Sequence, residues 1–479
     1  MSAVMRFDKV TITYPNGCCA VREVSFSLAP GECLALVGES GCGKTTMARA
    51  ALGLLPRGTT ITGSIRIGAT EVVDAPQQTL RRLRGLQVGY VAQEPFSACD
   101  PLRSVGDHVA EAWRVQELRP PDSAVDSLLT KLGIAASAQQ YPHQWSGGML
   151  QRAVIAAAAA HQPPVIIADE PTSALDAELS DITLATLRAT GAAILLITHD
   201  LQLAARHADR IAVCQNGQVV ETDLAANLLA SPQHPYTISL CKALLPTSQP
   251  LLPIANDAAV IAEARQVSKI WGRGERGVRA VTNVSLQVRR GEIVGICGAS
   301  GCGKSTLLRL LATIEVPSSG SVWLDGSPHP KRNGFVMPIF QDASGSLDRR
   351  WPVWRSITEP LMARHRRDIP SPQQRRALAR TQLDTVGLSG IDVESGPDEL
   401  SVGQCQRIAI ARALAAKPAL LIADEPTSAL DVVTATEIFH LLWRAVEQGA
   451  GLVIVSHDHT RLEQFCHRVL KMHAGKLLA

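Results

Sequence analysis

Short, wholly apolar runs recur along the chain, and each leads into a segment that contains glycine, acidic residues or histidine. Runs of this length without a polar position are typical of strands buried on both faces of a sheet. The longer segments that follow them are interpreted as helices. The pattern therefore predicts an α/β fold with a mainly parallel sheet. The predicted strands are 33–37, 165–168, 193–198, 293–297, 419–423 and 452–456, and the predicted helices include 45–55, 149–160, 305–313 and 404–416.

An internal repeat indicates the domain organisation. Three motifs of the first half return in the same order in the second half, displaced by roughly 255 residues, whereas solenoid repeats span ~20–50 residues. The repeated unit is therefore a whole domain. We expect one domain at residues 1–245, a proline-rich linker at 246–260 and a second domain at 261–479. The three motif pairs are Gly38–Thr45 with Gly298–Ser305, Ser146–Arg152 with Ser401–Arg407, and Ile167–Asp176 with Ile422–Asp431.

Composition narrows the class of protein. The 479 residues are 46% hydrophobic and 19% charged, which excludes a disordered or fibrous chain. A net charge of +3 gives no basic footprint, so no nucleic acid is expected as a partner. No apolar stretch approaches the ~18–20 residues of a membrane span, and the first residues lack the pattern of a secretory signal. The 11 cysteines include no CxxC pair, which favours reduced thiols in the cytosol.

Two glycine-rich loops carry the strongest chemical signal. Both match G-x-x-x-x-G-K-[ST] and lie between a predicted strand and a predicted helix. Backbone N–H groups in such a loop surround phosphate oxygens, and the helix N-terminus adds a favourable dipole. Lys44 and Lys304 are predicted to reach the β- and γ-phosphates of a nucleotide. The candidate nucleotide-binding residues are Gly38, Glu39, Ser40, Gly41, Cys42, Gly43, Lys44, Thr45, Thr46, Gly298, Ala299, Ser300, Gly301, Cys302, Gly303, Lys304, Ser305 and Thr306.

A magnesium site is predicted beside each loop. Asp169 and Asp424 come at the ends of apolar strands, where a carboxylate suits an outer-sphere or water-mediated contact with Mg²⁺. The loop hydroxyls of Thr45 and Ser305 are the predicted protein ligands of the same ion. Mg²⁺ is therefore the expected cofactor, and ATP the expected substrate.

Catalytic residues are predicted directly after these strands. Glu170 and Glu425 follow the two aspartates and are placed to orient or deprotonate an attacking water. His199 and His457 follow the next apolar strand of each half, and we expect them to hydrogen-bond the γ-phosphate. The chemistry these residue types favour is hydrolysis of ATP to ADP and phosphate.

Two weaker signals leave alternatives open. Gln93 and Gln341 lie between the glycine-rich loop and the Ser-Gly-Gly motif, where an amide could ligate Mg²⁺ or water, or be an ordinary polar loop residue. Tyr14 and Trp271 match in register between the two halves. They either stack on an adenine ring or pack in the core.

A second type of anion site is predicted at the start of the long apolar helix in each half. A serine hydroxyl, glycine N–H groups and a helix N-terminus combine there. Each domain thus carries two predicted phosphate-binding sites but needs only one for its own nucleotide. The second site is explained if it binds a nucleotide held by the glycine-rich loop of a partner domain. The residues are Ser146, Gly147, Gly148, Ser401 and Gly403, with Val402 between the last two.

Taken together, the motifs closely resemble the ATP-binding-cassette (ABC) superfamily. The P-loop, glutamine loop, Ser-Gly-Gly signature, Ala-Asp-Glu-Pro-Thr segment, Ser-Ala-Leu-Asp loop and switch histidine occur in order, twice. The resemblance implies two P-loop domains, each with an additional antiparallel β subdomain and a helical subdomain. It also implies that the cassettes close head to tail over two ATP, each between one P-loop and the other cassette's signature.

A narrower resemblance is to the ATPases of peptide and nickel importers, including glutathione importers. The segments that carry it are Gln93–Pro95, Asp100–Arg103, Gln341–Asp348 and Ser231–Thr237. It implies two integral-membrane permease subunits as partners, an indirect extracytoplasmic substrate-binding protein, and a position on the cytoplasmic face of the bacterial inner membrane. Peptide, nickel, metal-chelator and opine cargo all remain open.

The sequence departs from that family in two places. A cysteine-rich segment often follows His-Pro-Tyr-Thr in the family and can hold an iron–sulfur cluster, but only Cys241 occurs here, so we expect no cluster. Val402 stands where the signature normally has glycine, and a side chain there crowds backbone expected near the γ-phosphate. By the head-to-tail rule Val402 belongs to the Lys44/Glu170 site. We therefore expect the Lys304/Glu425 site to carry most turnover.

Two other functions are weighed against transport. A twin-cassette protein that acts on ribosomes shares the cassette number but usually carries a long charged linker, whereas the join here is short and proline-rich. A nucleotide-binding regulator with dead sites would not need two intact sets of glutamate and histidine.

Overall fold

Two compact units make up the chain in the computed structural model, Met1–Leu245 and Pro246–Ala479. The structure describes residues 3–39, 41–93, 95–96, 98–134, 138–145, 147–172, 175, 177–244, 253–255, 257–272, 277–299, 301–328, 333–362, 369–427, 430, 432–456 and 459–478. The predictions that fall outside these ranges concern Ser40, Ser146, Ser300, His457, residues 173–174, 176, 428–429 and 431 of the Ser-Ala-Leu-Asp loops, and residues 246–252 and 256 of the expected linker.

Unit 1 contains two sheets. One is antiparallel, in the order β2-β1-β4-β5, and the other is mainly parallel, in the order β10-β9-β3-β8-β7-β6. The strands are β1 (Met5–Thr13), β2 (Cys19–Leu28), β3 (Cys33–Gly38), β4 (Thr60–Ile67), β5 (Thr70–Glu71), β6 (Val88–Val91), β7 (Val165–Asp169), β8 (Ala193–Thr198), β9 (Arg210–Gln215) and β10 (Gln218–Leu224). The helices are α1 (Lys44–Ala51), α2 (Gln77–Leu86), α3 (Val105–Arg114), α4 (Ala124–Lys131), α5 (Gly147–Ala159), α6 (Ala177–Ala189), α7 (Leu201–His207), α8 (Ala225–Ala230) and α9 (Pro235–Leu244).

The burial pattern of each strand follows from the sheet that contains it. β3, β7 and β8 are buried at every residue, as expected for strands covered on both faces. β1 and β2 alternate over most of their length, because an antiparallel sheet can leave one face to water. Since β3, β8 and β7 are parallel neighbours, their carboxyl ends meet at one edge of the sheet. The loops that carry the candidate site residues therefore lie at that edge.

Unit 2 repeats this topology. Its antiparallel sheet has the order β12-β11-β14, and its mainly parallel sheet has the order β15-β16-β17-β13-β18-β19, which matches β6-β7-β8-β3-β9-β10 strand for strand. The strands are β11 (Val260–Trp271), β12 (Val278–Arg289), β13 (Ile293–Cys297), β14 (Ser319–Leu324), β15 (Val336–Ile339), β16 (Leu420–Asp424), β17 (Gly451–Val455), β18 (Arg468–His473) and β19 (Lys476–Leu478). The helices are α10 (Lys304–Leu311), α11 (Val353–Met362), α12 (Pro372–Thr385), α13 (Val402–Ala415), α14 (Val432–Glu447) and α15 (His459–Phe465).

A group of three helices completes each unit. α3, α4 and α5 pack around a core that includes Trp113, Trp145 and Leu150, while α11 and α12 pack against α13. The mainly parallel sheet, antiparallel sheet and helical group are the three parts that the resemblance implies. The α/β fold class predicted from the sequence is confirmed.

The helices after the glycine-rich loops end earlier than predicted. α1 ends at Ala51 because Gly53, at φ 60°, donates its N–H to the Ala50 carbonyl while Leu54 donates to the Arg49 carbonyl. This is the Schellman arrangement that terminates many helices. α10 ends in the same way, with Thr313 at φ 56° in the position of Gly53. The sequence-based prediction placed both helix ends too far along the chain, because apolar residues continue beyond the true ends.

Candidate functional site

The glycine-rich loop of unit 1 folds tightly around its lysine. Lys44 is buried, and its ammonium donates to the carbonyl oxygens of Gly38 and Glu39, each at 2.8 Å. Gly43 has φ 94°, and a Cβ there would lie 2.4 Å from the Ala20 carbonyl oxygen, so only glycine fits. The loop therefore places a cation and the first N–H groups of α1 at the carboxyl end of β3, the arrangement that binds phosphate.

Unit 2 builds the same loop. Lys304 donates to the carbonyl oxygens of Gly298 and Ala299, at 2.7 and 3.0 Å. Gly303 has φ 109°, and a Cβ there would lie 2.0 Å from the Ala280 carbonyl oxygen. Because both loops share these contacts, each unit has its own candidate phosphate-binding loop.

The predicted magnesium ligands of unit 1 lie together. The Thr45 hydroxyl donates to Asp169 Oδ1 at 3.2 Å, and the Tyr90 hydroxyl donates to Asp169 Oδ2 at 3.4 Å. Asp169 is 1% exposed, and burial raises the pKa of its carboxyl above the usual value. A bound cation would oppose that cost of burial by stabilising the carboxylate.

The corresponding pair in unit 2, Ser305 and Asp424, leaves one carboxylate oxygen without a hydrogen bond among the described residues. Ser305 hydrogen-bonds the Asp424 carboxyl, whose pKa burial raises. Asp424 Oδ1 is buried and has no hydrogen-bond partner among the described residues. A carboxylate oxygen and a hydroxyl beside the phosphate loop are donors that suit Mg²⁺ together with nucleotide oxygens and water. The described residues include no group of three or more His, Cys, Asp or Glu side chains that could hold a metal without a nucleotide.

The candidate catalytic glutamates have an unusual backbone conformation. Glu170 and Glu425 have φ 45° and 48°, a region that costs a non-glycine residue about 1–3 kcal/mol. Each is held there by the neighbouring strand, because its N–H donates to the carbonyl of Ile197 or Val455 at 2.8 and 3.0 Å. The sheet thus fixes both carboxylates at the edge where the loops meet.

Both glutamates contact the predicted glutamine of their own unit. Gln93 Nε2 donates to Glu170 Oε2 at 3.0 Å, and Gln341 Nε2 donates to Glu425 Oε2 at 2.8 Å. The glutamines therefore lie within reach of the predicted attacking water. Their amide groups here contact the glutamates, and their predicted role as magnesium ligands stays a prediction.

His199 joins the same cluster in unit 1. Its Nδ1 lies 3.3 Å from Glu170 Oε1. The hydrogen bond to Glu170 raises the pKa of His199 above its usual value. Burial opposes ionisation of Glu170, but the histidine outweighs it and the pKa of the carboxyl is lowered. The pair therefore favours an ionised glutamate, as a residue that accepts a proton from water requires.

The two aromatic candidates occupy different environments. The Tyr14 hydroxyl lies 3.0 Å from Thr46 Oγ1, so the ring is tied to the start of α1 beside the phosphate loop. Trp271 is 38% exposed, and Lys269 Nζ lies 4.5 Å from its ring centre. The alternative of core packing therefore does not hold for Trp271.

The signature helices begin at equivalent positions, Gly147 in α5 and Val402 in α13. In α5, a Cβ at Gly148 would lie 3.3 Å from Leu175 Cδ2, and the start of the helix is Gly147. In α13, the Ser401 hydroxyl accepts from the Gln404 N–H, and the Gln404 side chain accepts from the Ser401 N–H. Val402 is 57% exposed. An exposed side chain therefore stands at the first residue of α13, where α5 has a glycine.

Sequence reasoning missed Tyr90 as a site residue. β6 lies beside β7, and Tyr90 pairs with Ile167, so its hydroxyl reaches the Asp169 carboxylate. Burial and the nearby carboxylate raise the pKa of Tyr90 to about 12. The available signal was the position of Tyr90 three residues before Gln93. The corresponding residue of unit 2 is Pro338, which has no hydroxyl to donate to an aspartate, so the internal repeat did not point to Tyr90.

Two phosphate loops, each joined to an acidic strand end and a glutamate, define a nucleotide-hydrolysing P-loop protein. A family model described as ABC transporter matches residues 21–173 and, separately, 281–428. The chain therefore belongs to the ABC transporter family, and it is an ATPase of the ABC type. None of the described helices combines the length and apolar character that a bilayer span requires.

Similar proteins cover nearly the whole chain. The oligopeptide transport ATP-binding protein OppD of Mycobacterium tuberculosis is 34% identical over an alignment of 583 residues, gaps included. The alignment covers 100% of this chain and 95% of OppD. The glutathione import ATP-binding protein GsiA of Pectobacterium atrosepticum is 33% identical over 516 residues, covering 96% of this chain and 82% of GsiA. Among solved structures, the archaeal ribosome recycling factor aABCE1 matches 98% of this chain and 89% of its own, with a TM-score of 0.67 and 19% identity. That last likeness extends to the fold alone.

Proposed function

We propose that the chain is the ATP-hydrolysing subunit of an importer of the peptide/nickel type. The observation that carries the proposal is the similarity to OppD and GsiA over both cassettes, at 34% and 33% identity. The names of these relatives favour peptide cargo, including glutathione, over nickel. Binding and hydrolysis of ATP would drive closing and opening of the cassettes, and permease subunits would convert that motion into transport.

In this mechanism the phosphate loop binds the nucleotide, and residues at the strand ends hold the metal and act on the attacking water. Lys44 and the N–H groups of its loop hold the β- and γ-phosphates, while Thr45 and Asp169 hold Mg²⁺. When bound, Mg²⁺ neutralises charge that develops on the phosphates. Glu170 orients or deprotonates the attacking water. Gln93 and His199 support it, because both already hydrogen-bond this carboxylate.

Unit 2 would act through the corresponding residues. Lys304 binds phosphate, Ser305 and Asp424 hold Mg²⁺, and Glu425 acts on water with Gln341 beside it. His457 is proposed to contact the γ-phosphate. Tyr14 and Trp271 are proposed to lie against the adenine.

The two sites are proposed to be composite and unequal. Each nucleotide would lie between one phosphate loop and the signature of the other cassette, as in the family. The exposed Val402 side chain would then crowd the Lys44/Glu170 site. Gly147 and Gly148, which carry no side chain, would complete the Lys304/Glu425 site, which we expect to carry most turnover.

The proposed partners are two integral-membrane permease subunits, with an extracytoplasmic binding protein acting through them. The chain would sit on the cytoplasmic face of the bacterial inner membrane. The ribosome is not favoured by any specific observation, since the likeness to aABCE1 at 19% identity extends to the fold alone.

Reconstitution tests this function. The chain would be co-expressed with the permeases encoded by neighbouring genes, purified as a complex and inserted into liposomes. Peptide-loaded binding protein is expected to stimulate ATP hydrolysis and peptide uptake, and Glu425→Gln should abolish both. Co-purification with ribosomes, or failure to associate with the permeases, would refute the proposal.

A further inference from the structure

A second cysteine lies beneath the phosphate loop of unit 1. Strands β3 and β9 pair so that Cys214 faces Gly38. A Cβ built on Gly38 would lie 2.1 Å from the Cys214 carbonyl oxygen and 3.0 Å from Cys42 Sγ. Both cysteines are buried, at 3% and 0% exposure, and both belong to the same hydrophobic core. Both cysteines therefore lie against Gly38, at the start of the loop expected to hold phosphate.

Unit 2 has the same backbone geometry without the second thiol. A Cβ at Gly298 would lie 2.2 Å from the Met472 carbonyl oxygen and 3.0 Å from Cys302 Sγ. Met472 thus occupies the place of Cys214. A thioether cannot form a disulfide, so the chain carries its own control for the pair.

The neighbours of Cys42 favour reaction at its sulfur. Hydrogen bonding to Cys214 and the charge of Lys44, whose Nζ lies 3.6 Å from Cys42 Sγ, lower the pKa of Cys42 to about 7 against the opposing effect of burial. The pKa of Cys214 is raised, so it stays a thiol. Since the thiolate is the nucleophile, Cys42 is the sulfur that attacks an oxidant first.

We propose that Cys42 and Cys214 form a reversible disulfide in the presence of a peroxide, and that this bond closes the nucleotide site of unit 1 alone. The Cys42 thiolate attacks one oxygen of hydrogen peroxide, the O–O bond breaks, and a Cys42 sulfenic acid and hydroxide result. The hydroxide takes up the proton that Cys42 released on ionising and becomes water. Cys214 then attacks the Cys42 sulfur, an S–S bond forms and the S–O bond breaks. The leaving hydroxide takes the proton of the Cys214 thiol and departs as a second water. Two thiols are oxidised by two electrons, and one peroxide is reduced to two waters.

The bond would act on the phosphate loop through residue 42. A disulfide holds its two Cα atoms ~4.4–6.8 Å apart, so residue 42 would be fixed to β9. Residue 42 lies between Gly41 and Gly43, whose positive φ angles shape the loop. Lys44 also loses the sulfur that accepts from its ammonium. A loop tied in this way cannot adjust its N–H groups to a phosphate.

The first experiment detects the bond. The full chain would be purified under reducing conditions, freed of reductant, treated with hydrogen peroxide and digested without reduction. Mass spectrometry is expected to find a peptide that links Cys42 to Cys214, and dithiothreitol should remove it. Peroxide treatment that leaves both cysteines as thiols, or oxidises Cys42 without linkage, would overturn the proposal.

The second experiment measures nucleotide binding with a fluorescent ATP analogue. Oxidation should remove about half of the bound analogue, with recovery after reduction. The Cys214→Val variant keeps a similar side-chain volume and should retain all binding after peroxide. Met472→Cys should add a second linked peptide, from Cys302 to position 472, and the oxidised protein should then lose binding at both sites.

These variants distinguish the possible outcomes. Equal loss of binding in the wild type and in Cys214→Val would mean that simple oxidation of Cys42 suffices, and the disulfide would be refuted. If Cys214→Val does not fold, the Met472→Cys gain decides the question in unit 2. The proposal rests on nucleotide binding by the unit 1 loop, so a reduced protein that binds only one analogue would instead contradict the two-site function.

Discussion

Glu170 and Glu425 occupy the same position in the two units, yet the residues expected to complete their sites differ. Both have positive φ, both donate their N–H to the adjacent strand, and both accept from a glutamine. The difference lies in the signature helices, where Gly147 is matched by the exposed Val402. An inequality between the two sites is therefore tested by changing each glutamate in turn, since both make the same backbone and glutamine contacts.

We expect Glu425→Gln to lower ATP turnover of the full chain by ~10²-fold, because it removes the proposed general base of the site proposed to carry most turnover. Glu170→Gln should leave most of the turnover. Steady-state phosphate release measures both. Adding Val402→Gly is the matched control, since it should bring the two glutamine variants closer together. Equal losses in the parent chain would contradict the assignment.

At the scale of elements, equivalent strands start with different partners. In unit 1, the Cys33 N–H at the start of β3 donates to Asp209 Oδ2 at 2.7 Å, and Arg188 pairs with the same carboxylate at 2.8 and 3.1 Å. In unit 2, the Ile293 N–H at the start of β13 donates to His467 Nδ1 at 3.0 Å. The strand order is the same, but the acceptor is a carboxylate in unit 1 and an imidazole nitrogen in unit 2.

Asp209→Asn is expected to lower the free energy of unfolding of unit 1 by about 1 kcal/mol at pH 7, a modest value because both charges are partly exposed. Burial opposes ionisation of Asp209, but Arg188 and the Cys33 N–H outweigh it and its pKa is lowered from 3.8. The stabilisation is therefore present above pH 3.8 and is lost as the pH falls through the folded value.

Urea denaturation at pH 7 and near pH 3 measures this difference. The effect of Asp209→Asn should shrink at the lower pH. Asp8→Asn is the control, because Asp8 makes only an exposed ion pair with Arg6 at 3.5 Å and should change little. A difference that does not depend on pH would rule out the carboxylate as its source.

The end of α10 offers a stabilising change. Thr313 is exposed and has φ 56°, which costs a side chain about 1–2 kcal/mol, whereas glycine is tolerated. We expect Thr313→Gly to raise the free energy of unfolding by about 1 kcal/mol. Thermal and urea unfolding measure it. Gly53→Ala is the opposite control, since its Cβ would lie 2.7 Å from Leu80 Cδ1 and should destabilise unit 1. A loss of stability in Thr313→Gly would show that the threonine makes a favourable contact.

At the scale of the whole molecule, two complete units share one chain. Unit 1 has hydrophobic cores of its own, under its sheets and among α3, α4 and α5. Unit 2 has a separate core on each face of its parallel sheet. Each unit therefore contains what a domain needs to fold alone.

Residues 1–245 are expected to fold by themselves but to hydrolyse ATP at least ~10-fold more slowly than the full chain, because a composite site needs the other cassette's signature. Circular dichroism and binding of an ATP analogue check the fold, and phosphate release gives the rate. Adding residues 246–479 should restore part of the activity. A fragment as active as the full chain would contradict composite sites.

The sequence by itself determined the duplication, the α/β class and the phosphate loops, because these depend on local runs of apolar residues and on motifs with fixed spacing. It extended the helices 45–55 and 305–313 too far, because their ends depend on the backbone conformations of Gly53 and Thr313. Only the tertiary structure placed Cys214 beneath Cys42 and Tyr90 beside Asp169. Those contacts join residues far apart along the chain, and they follow from strand order and register, which no local pattern specifies.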